Sequence, residues 1–206
     1  MTAFRTEQEA FWAGEFGDQY IERNQGAGDL AGNLALFARA LRVTQKITSV
    51  IEFGANIGMN MRALRPLLPE AELSAVEINA KAYGMLSELP YVKATHGSLL
   101  DHELVRAYDL VLVKGVLIHL DPGVLAVAYD KIFAASGRYV LLSEYYSLTP
   151  MEVDYRGHSG RLFKRDFAGE LMQRHPSLQL LDYGFMYHRD QKWFGEDANW
   201  FLMEKR

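Results

Sequence analysis

From Lys46 onward, short apolar runs alternate with stretches of helical periodicity, and this alternation dominates the chain. Ser49-Val50-Ile51-Glu52-Phe53 reads as a short strand ending at a glycine, and Met59 to Leu68 as a helix interrupted near Pro66. A strand over Leu73 to Ile78, a helix over Asn79 to Glu88 and a short strand over Tyr91 to Thr95 come next. Tyr108 to Val113 is apolar on both faces, as a central parallel strand covered from above and below must be. A helix over Gly123 to Ala134 and a strand over Arg138 to Glu144 continue the series. Leu178 to Tyr187 and Asn199 to Glu204 are joined by a polar connection, which predicts an antiparallel pair at the sheet edge. Upstream, Phe11, Trp12, Phe16 and Tyr20 recur at helical spacing over Thr6 to Tyr20. After a Gly-rich break at residues 25–29, Leu34, Phe37 and Leu41 share one face of a helix over Leu30 to Leu41.

Repeated strand–helix units predict an α/β fold, a doubly wound Rossmann-like sheet, mostly parallel with an antiparallel edge strand. Residues 1–45 form a helical cap and 46–206 the core, one domain in all. The length of 206 residues, 49% of them hydrophobic and 23% charged, suits a soluble globular chain. With 22 basic and 26 acidic side chains the net charge is −4, which argues against nucleic-acid and anionic-lipid partners. Cysteine is absent, so disulfides, thiolate metal sites and thiol nucleophiles are excluded. No apolar run approaches the roughly 18 residues of a membrane span. The expectation is a cytoplasmic protein, monomer or homodimer, working on a small molecule.

In doubly wound sheets ligands sit beyond the carboxyl ends of the strands. The first strand leads into Glu52-Phe53-Gly54-Ala55-Asn56-Ile57-Gly58. A dinucleotide fingerprint would place a glycine where Asn56 stands, and Glu52 would repel a pyrophosphate. Glu77 ends the second strand, placed to accept hydrogen bonds from a ribose diol. A ribose acceptor in acidic surroundings suits a cationic adenosine derivative, S-adenosylmethionine. A nicotinamide-dependent oxidoreductase is disfavoured by the same two residues, Asn56 and Glu52.

The stretches Phe11 to Asn24, Ile51 to Asn60, Asp109 to Leu120 and Arg156 to Phe167 carry a resemblance that runs along the whole chain. The sequence resembles class I S-adenosylmethionine-dependent methyltransferases and, more narrowly, the pseudaminic acid biosynthesis-associated methylases. That resemblance implies that Glu52, Gly54 and Gly58 line the methionine portion of the cofactor, with Asn56 of the same loop also binding the cofactor. It further implies Glu77 at the ribose, Ile78 on the adenine, and Ser98 and Leu99 at the adenine edge. Lys114 would pass beneath the sulfonium through its backbone, with Tyr20 and Arg23 closing over the methionine carboxylate.

Methyl transfer needs alignment, water exclusion and, for a hydroxyl acceptor, a base. His119, five residues after Lys114, is one candidate base; His158 is another, and Glu144 would pair with an arginine or accept from a substrate amine. Between residues 156 and 165 four basic side chains and a histidine cluster in a Gly-containing loop. Arg156, Arg161 and Lys164, with Tyr145 and Tyr146, therefore predict contacts to an anionic substrate. No His pair at one-turn spacing points to a metal. The activity expected is O- or N-methylation of a small anionic metabolite, a nonulosonate sugar acid or its nucleotide-linked form. The alternatives are a tailoring enzyme for an amino-acid-like natural product and a non-catalytic cofactor-binding module.

Overall fold

A computed structural model of the chain describes residues 4–23, 27–193 and 195–206. Among these residues the strands are β1 (Ser49–Phe53), β2 (Glu72–Glu77), β3 (Val92–His96), β4 (Tyr108–Lys114) and β5 (Ser136–Glu144), with β6 (Met151–Glu152), β7 (Phe163–Lys164), β8 (Leu178–Met186) and β9 (Ala198–Lys205) after them. The helices are α1 (Glu7–Ala13), α2 (Glu15–Arg23), α3 (Ala27–Leu41), α4 (Met59–Leu67), α5 (Ala80–Ser87), α6 (Leu125–Ala135) and α7 (Phe167–Arg174). Seven strands form one sheet in the order β3-β2-β1-β4-β5-β9-β8. β1 to β5 run parallel, while β9 runs antiparallel between β5 and β8, which closes that edge with an antiparallel pair. The strand order reverses at β1, between β2 and β4, so the loops after β1 and β4 part there and leave a crevice.

The sheet is sealed on both faces. Val111, Val113, Val140 and Leu142 pack beneath α6 and α7 with Ile132 and Leu171. On the other face Val50, Leu110, Leu112 and Leu141 pack with Phe37 of α3 and Leu64 of α4. β1 is buried at all five positions, which is why it reads as a largely apolar run. At the strand entrance, Asp109 Oδ2 accepts from the backbone N–H of Thr48 (2.7 Å) and of Ser49 (3.2 Å), pinning the start of β1 to β4.

Two features differ from the pattern expected above. The first amphipathic segment is not one helix: α1 ends at Gly14, which is extended (φ −99°, ψ −156°), and α2 starts afresh. The segment after β5 is not a plain loop, because β6 and β7 pair as a small antiparallel ladder, with Tyr155 and His158 bridged beyond it. Pro66 sits in the last turn of α4, where it removes one intrahelical hydrogen bond, and the helix ends one residue later at Leu67. Among the described residues no helix is long and apolar enough to cross a membrane.

Leu112 is fully buried in the central strand, so Leu112→Ala should destabilise the protein by about 2–5 kcal/mol, the range for cavity-forming truncations. Urea unfolding checks this, with the midpoint lowered and the slope of the transition unchanged.

Candidate functional site

The crevice at the strand-order reversal opens into a cavity lined by the loops after β1, β2, β3 and β4 and roofed by α1 and α2. The loop after β1 turns through three left-handed residues, Gly54 (φ 74°), Asn56 (φ 48°) and Gly58 (φ 81°). Asparagine is among the few non-glycine residues that adopt this conformation readily. At Gly54 a Cβ would overlap Cγ2 of Val116, so the bare backbone is what lets β1 and the loop after β4 approach here.

Glu77 sits at the centre of this arrangement, 6% exposed. Its Oε2 accepts from the backbone N–H of Asn56 (2.7 Å) and its Oε1 from that of Asn79 (2.7 Å). Burial raises its pKa, and the hydrogen bonds from Asn79 and Asn56 hold the rise back. Ile78, Ser98 and Leu99 line the cavity beside it. Glu52, fully buried one strand over, accepts from Asn60 Nδ2 (2.5 Å) through Oε1, while Oε2 has no hydrogen-bond partner among the described residues. Burial pushes its pKa up to about 8, against the pull of the Asn60 hydrogen bond and the charge of Lys114. Asn60 itself lines the cavity, and its Oδ1 is likewise buried and unpartnered. So is the hydroxyl of Ser143, on the cavity wall at the end of β5.

One side chain holds both helices of the roof. Asn79 caps α5 by accepting from the Ala82 N–H (2.9 Å) and donates upward to Asp18 Oδ1 (2.8 Å) and the Trp12 carbonyl (3.2 Å). Close contact is possible because Gly17 has no Cβ; one would overlap the Trp12 carbonyl oxygen. From α1, Glu9 accepts from the Ser98 hydroxyl, and Gln8 donates to the Gly160 carbonyl (3.0 Å). Trp12 and Tyr20 line the cavity from above.

His119 lies in a short 3₁₀ turn, Leu117–His119, that hangs from Glu144. The Glu144 carboxylate accepts from the backbone N–H groups of Val116 (3.0 Å), Leu117 (3.1 Å) and Ile118 (3.4 Å). Glu144 is therefore a buried brace for the turn, with its pKa pushed up by burial to about 7 against those three hydrogen bonds. Nδ1 of His119 bonds to the Arg161 carbonyl (2.7 Å), which can only accept, so the ring proton sits on Nδ1 and Nε2 is left as an acceptor. Burial lowers the pKa of His119 to about 4, despite that bond, and the ring is neutral at physiological pH.

Of the residues singled out from the sequence, the cavity gathers Tyr20, Gly54, Asn56, Glu77, Ile78, Ser98, Leu99, Lys114 and His119. Glu52 and Gly58 stand behind its wall, Glu52 acting through Asn60 and Gly58 beginning α4. Arg23 ends α2, but its side chain lies outside the described residues. The expected substrate cluster does not line the cavity. Tyr145 and Tyr146 border a separate shallow pocket with Arg165 and Phe201. Lys164 lies over the Tyr145 ring (5.1 Å), and Arg156 is an exposed turn residue (φ 53°). His158 packs its ring against Phe11 (5.0 Å) outside the cavity. The Arg161 guanidinium lies over Phe11 (5.1 Å) and pairs with Glu7 (3.4 Å), so only its carbonyl serves the site. The β6–β7 ladder explains the dispersal, since it spreads these side chains over an outer surface. Glu9, Asn60, Asn79, Ser143 and Glu196 are cavity residues that the sequence pattern did not single out. Only Asn79 carried a signal, as a capping residue directly before a helical stretch.

No protein-family model matches the sequence, and no curated protein matches it. Among solved structures, the chain is similar to a 1,6-didemethyltoxoflavin-N1-methyltransferase from Burkholderia thailandensis, with a TM-score of 0.75 and 15% identity over 100% of this chain and 92% of that one. It is also similar to a magnesium protoporphyrin IX methyltransferase from Synechocystis with bound S-adenosylmethionine (TM-score 0.70, 12% identity, 100% of both chains). A glycopeptide N-methyltransferase complexed with S-adenosylhomocysteine gives 0.66 and 13% over 94% of this chain and 99% of that one. The chain has the class I methyltransferase fold. Within that fold, the cavity lies where the strand order reverses.

The raised carboxylates set a pH signature. Glu52 (about 8) and Glu144 (about 7) hold protons in the folded state that the unfolded chain has already released. Stability therefore falls as pH rises through this range. His119, with its lowered pKa, works in the opposite direction only below its ordinary value of 6.5. The melting temperature of the ligand-free protein should drop between about pH 6.5 and pH 8, and Glu52→Gln should flatten that slope. Scanning fluorimetry across this range checks it; a melting temperature that rises would contradict these assignments.

Proposed function

We propose that this chain is an S-adenosylmethionine-dependent methyltransferase acting on a small molecule. The observation that carries this reading is the Glu77 carboxylate, buried, oriented by the Asn56 and Asn79 amides and flanked by Ile78 and Leu99. Each of its oxygens keeps a lone pair beyond the amide it already accepts, which suits the two hydroxyls of a ribose. The unpartnered buried acceptor Asn60 Oδ1, on the cavity wall, fits an ammonium group such as that of the methionine moiety. The residues fit the cofactor. When bound, S-adenosylmethionine supplies a methyl group made electrophilic by its sulfonium.

In this reading Ile78 and Leu99 flank the adenine, Gly54 and Asn56 give backbone approach to the methionine portion, and the backbone of Lys114 and Gly115 passes beneath the sulfonium. The capping α1 and α2 exclude water, and Trp12 and Tyr20 face the ligand from the roof. His119 is not a proton store, because a group with a pKa of about 4 holds no proton near neutral pH. Its Nε2 instead accepts a hydrogen bond and orients the acceptor. The anionic sugar-acid substrate loses its support. Among the described residues, the one lysine or arginine side chain lining the cavity is Lys114, and Glu196 already neutralises it (2.9 Å).

Calorimetric titration with S-adenosylhomocysteine, beside NAD as a control, tests the reading. Micromolar binding of the former alone is expected. Glu77→Ala should weaken that binding by roughly 1–3 kcal/mol, the cost of removing a charge-assisted acceptor, with the far-UV spectrum unchanged. Unaltered affinity would remove Glu77 from the ribose.

A further inference from the structure

Beyond the end of β4 the cavity wall carries an ion pair assembled from two distant segments. Lys114 Nζ donates to Glu196 Oε2 (2.9 Å), and Glu196 belongs to the connection between β8 and β9. The lysine side chain is 16% exposed and the glutamate 42%, so the carboxylate stands at the rim with its charge reachable from the cavity. Lys114 uses its charge on this pair and holds the Glu196 carboxyl below the usual range. The second oxygen, Oε1, has no hydrogen-bond partner among the described residues. Nearby, His119 Nε2 is an acceptor, and the Ser143 hydroxyl is unpartnered. The Trp12 ring, 4.5 Å from the His119 ring, supplies an aromatic wall.

This end of the cavity thus has one cation that is already matched, a surplus of acceptor oxygens and nitrogen, and an aromatic face. A carboxylate or phosphate would meet the Glu196 charge with only two neutral donors, the unpartnered Trp12 Nε1–H and the Ser143 hydroxyl, and no free cation to offset it. An N–H-bearing group would find partners on the carboxylate and on His119, and its ammonium form would gain from the Trp12 face. We propose that the methyl acceptor is a small amine carrying an apolar or aromatic body, its nitrogen held by Glu196. This rests on the methyltransferase reading above. The amine reacts as the neutral base, having left its proton to solvent at the exposed rim. Its lone pair forms the new N–CH₃ bond while the S–CH₃ bond breaks, with that electron pair staying on sulfur as a neutral thioether. Positive charge passes to the nitrogen, opposite the Glu196 carboxylate, where it is stabilised as it develops. One N–H proton then leaves the methylated ammonium to water.

The test uses two probes of matched shape, phenethylamine and 3-phenylpropanoate, titrated into the full chain saturated with S-adenosylhomocysteine. Phenethylamine should bind at least about tenfold more tightly than the propanoate. Glu196→Gln should raise its Kd at least about tenfold while the Kd of S-adenosylhomocysteine stays within about twofold, which also shows the variant is folded. Tighter or equal binding of the propanoate overturns the amine assignment, as does an amine Kd unmoved in Glu196→Gln. In both cases retained S-adenosylhomocysteine binding leaves the methyltransferase reading standing. If wild-type protein binds no S-adenosylhomocysteine, that reading falls and the amine assignment with it.

Discussion

The carboxylate of Glu77, buried at the end of β2, takes one backbone amide from the loop after β1 and one from the start of α5. A buried carboxylate that lacks donors is costly, so the two loops are obliged to bring their amides to it. Glu144 repeats the device at the end of β5, where three amides of the turn after β4 converge on it. Glu52 repeats it at β1 with a side-chain donor, Asn60, in place of backbone. Three parallel strands thus carry acids at their carboxyl ends that fasten the neighbouring loops and turns. The cavity is the space between those fastened loops, so its shape is inherited from the sheet rather than from loop packing alone.

The same residues show why so much of the fold was legible in the sequence. β1, β4 and β5 are covered on both faces and so appear as largely apolar runs, and Glu77 stands out because an acid at the buried end of the neighbouring β2 needs a reason. The features that escaped were those that depend on contacts between distant segments. The break at Gly14 comes from α1 and α2 docking over Asn79, and nothing local distinguishes Gly14 from a tolerated helix glycine. The basic cluster between Arg156 and Arg165 looked like an anion site by density alone. Pairing of β6 with β7 turns its side chains onto aromatic rings and carboxylates outside the cavity. Glu196 gave no pattern at all, because its partner lies 82 residues earlier in the chain.

Glu144 and His119 are both fixed by backbone partners. Both are buried, both have displaced pKa values, and both lie near the cavity. Perturbation of this kind marks functional sites, but it also marks structural braces. Here the partners decide: the Glu144 oxygens are occupied by backbone amides, and the His119 proton is committed to a carbonyl. One supports the turn, and the other presents a lone pair at a fixed angle.

Asn79 has a wider reach than its size suggests. Its backbone N–H belongs to Glu77, its side-chain oxygen to α5 and its side-chain amide to the roof. Lifting the roof therefore strips hydrogen bonds from the residue whose backbone N–H holds Glu77. Opening of the cap and slackening of the Glu77 carboxylate are thereby coupled through Asn79, and a ligand that tightens either will be felt as order in the other.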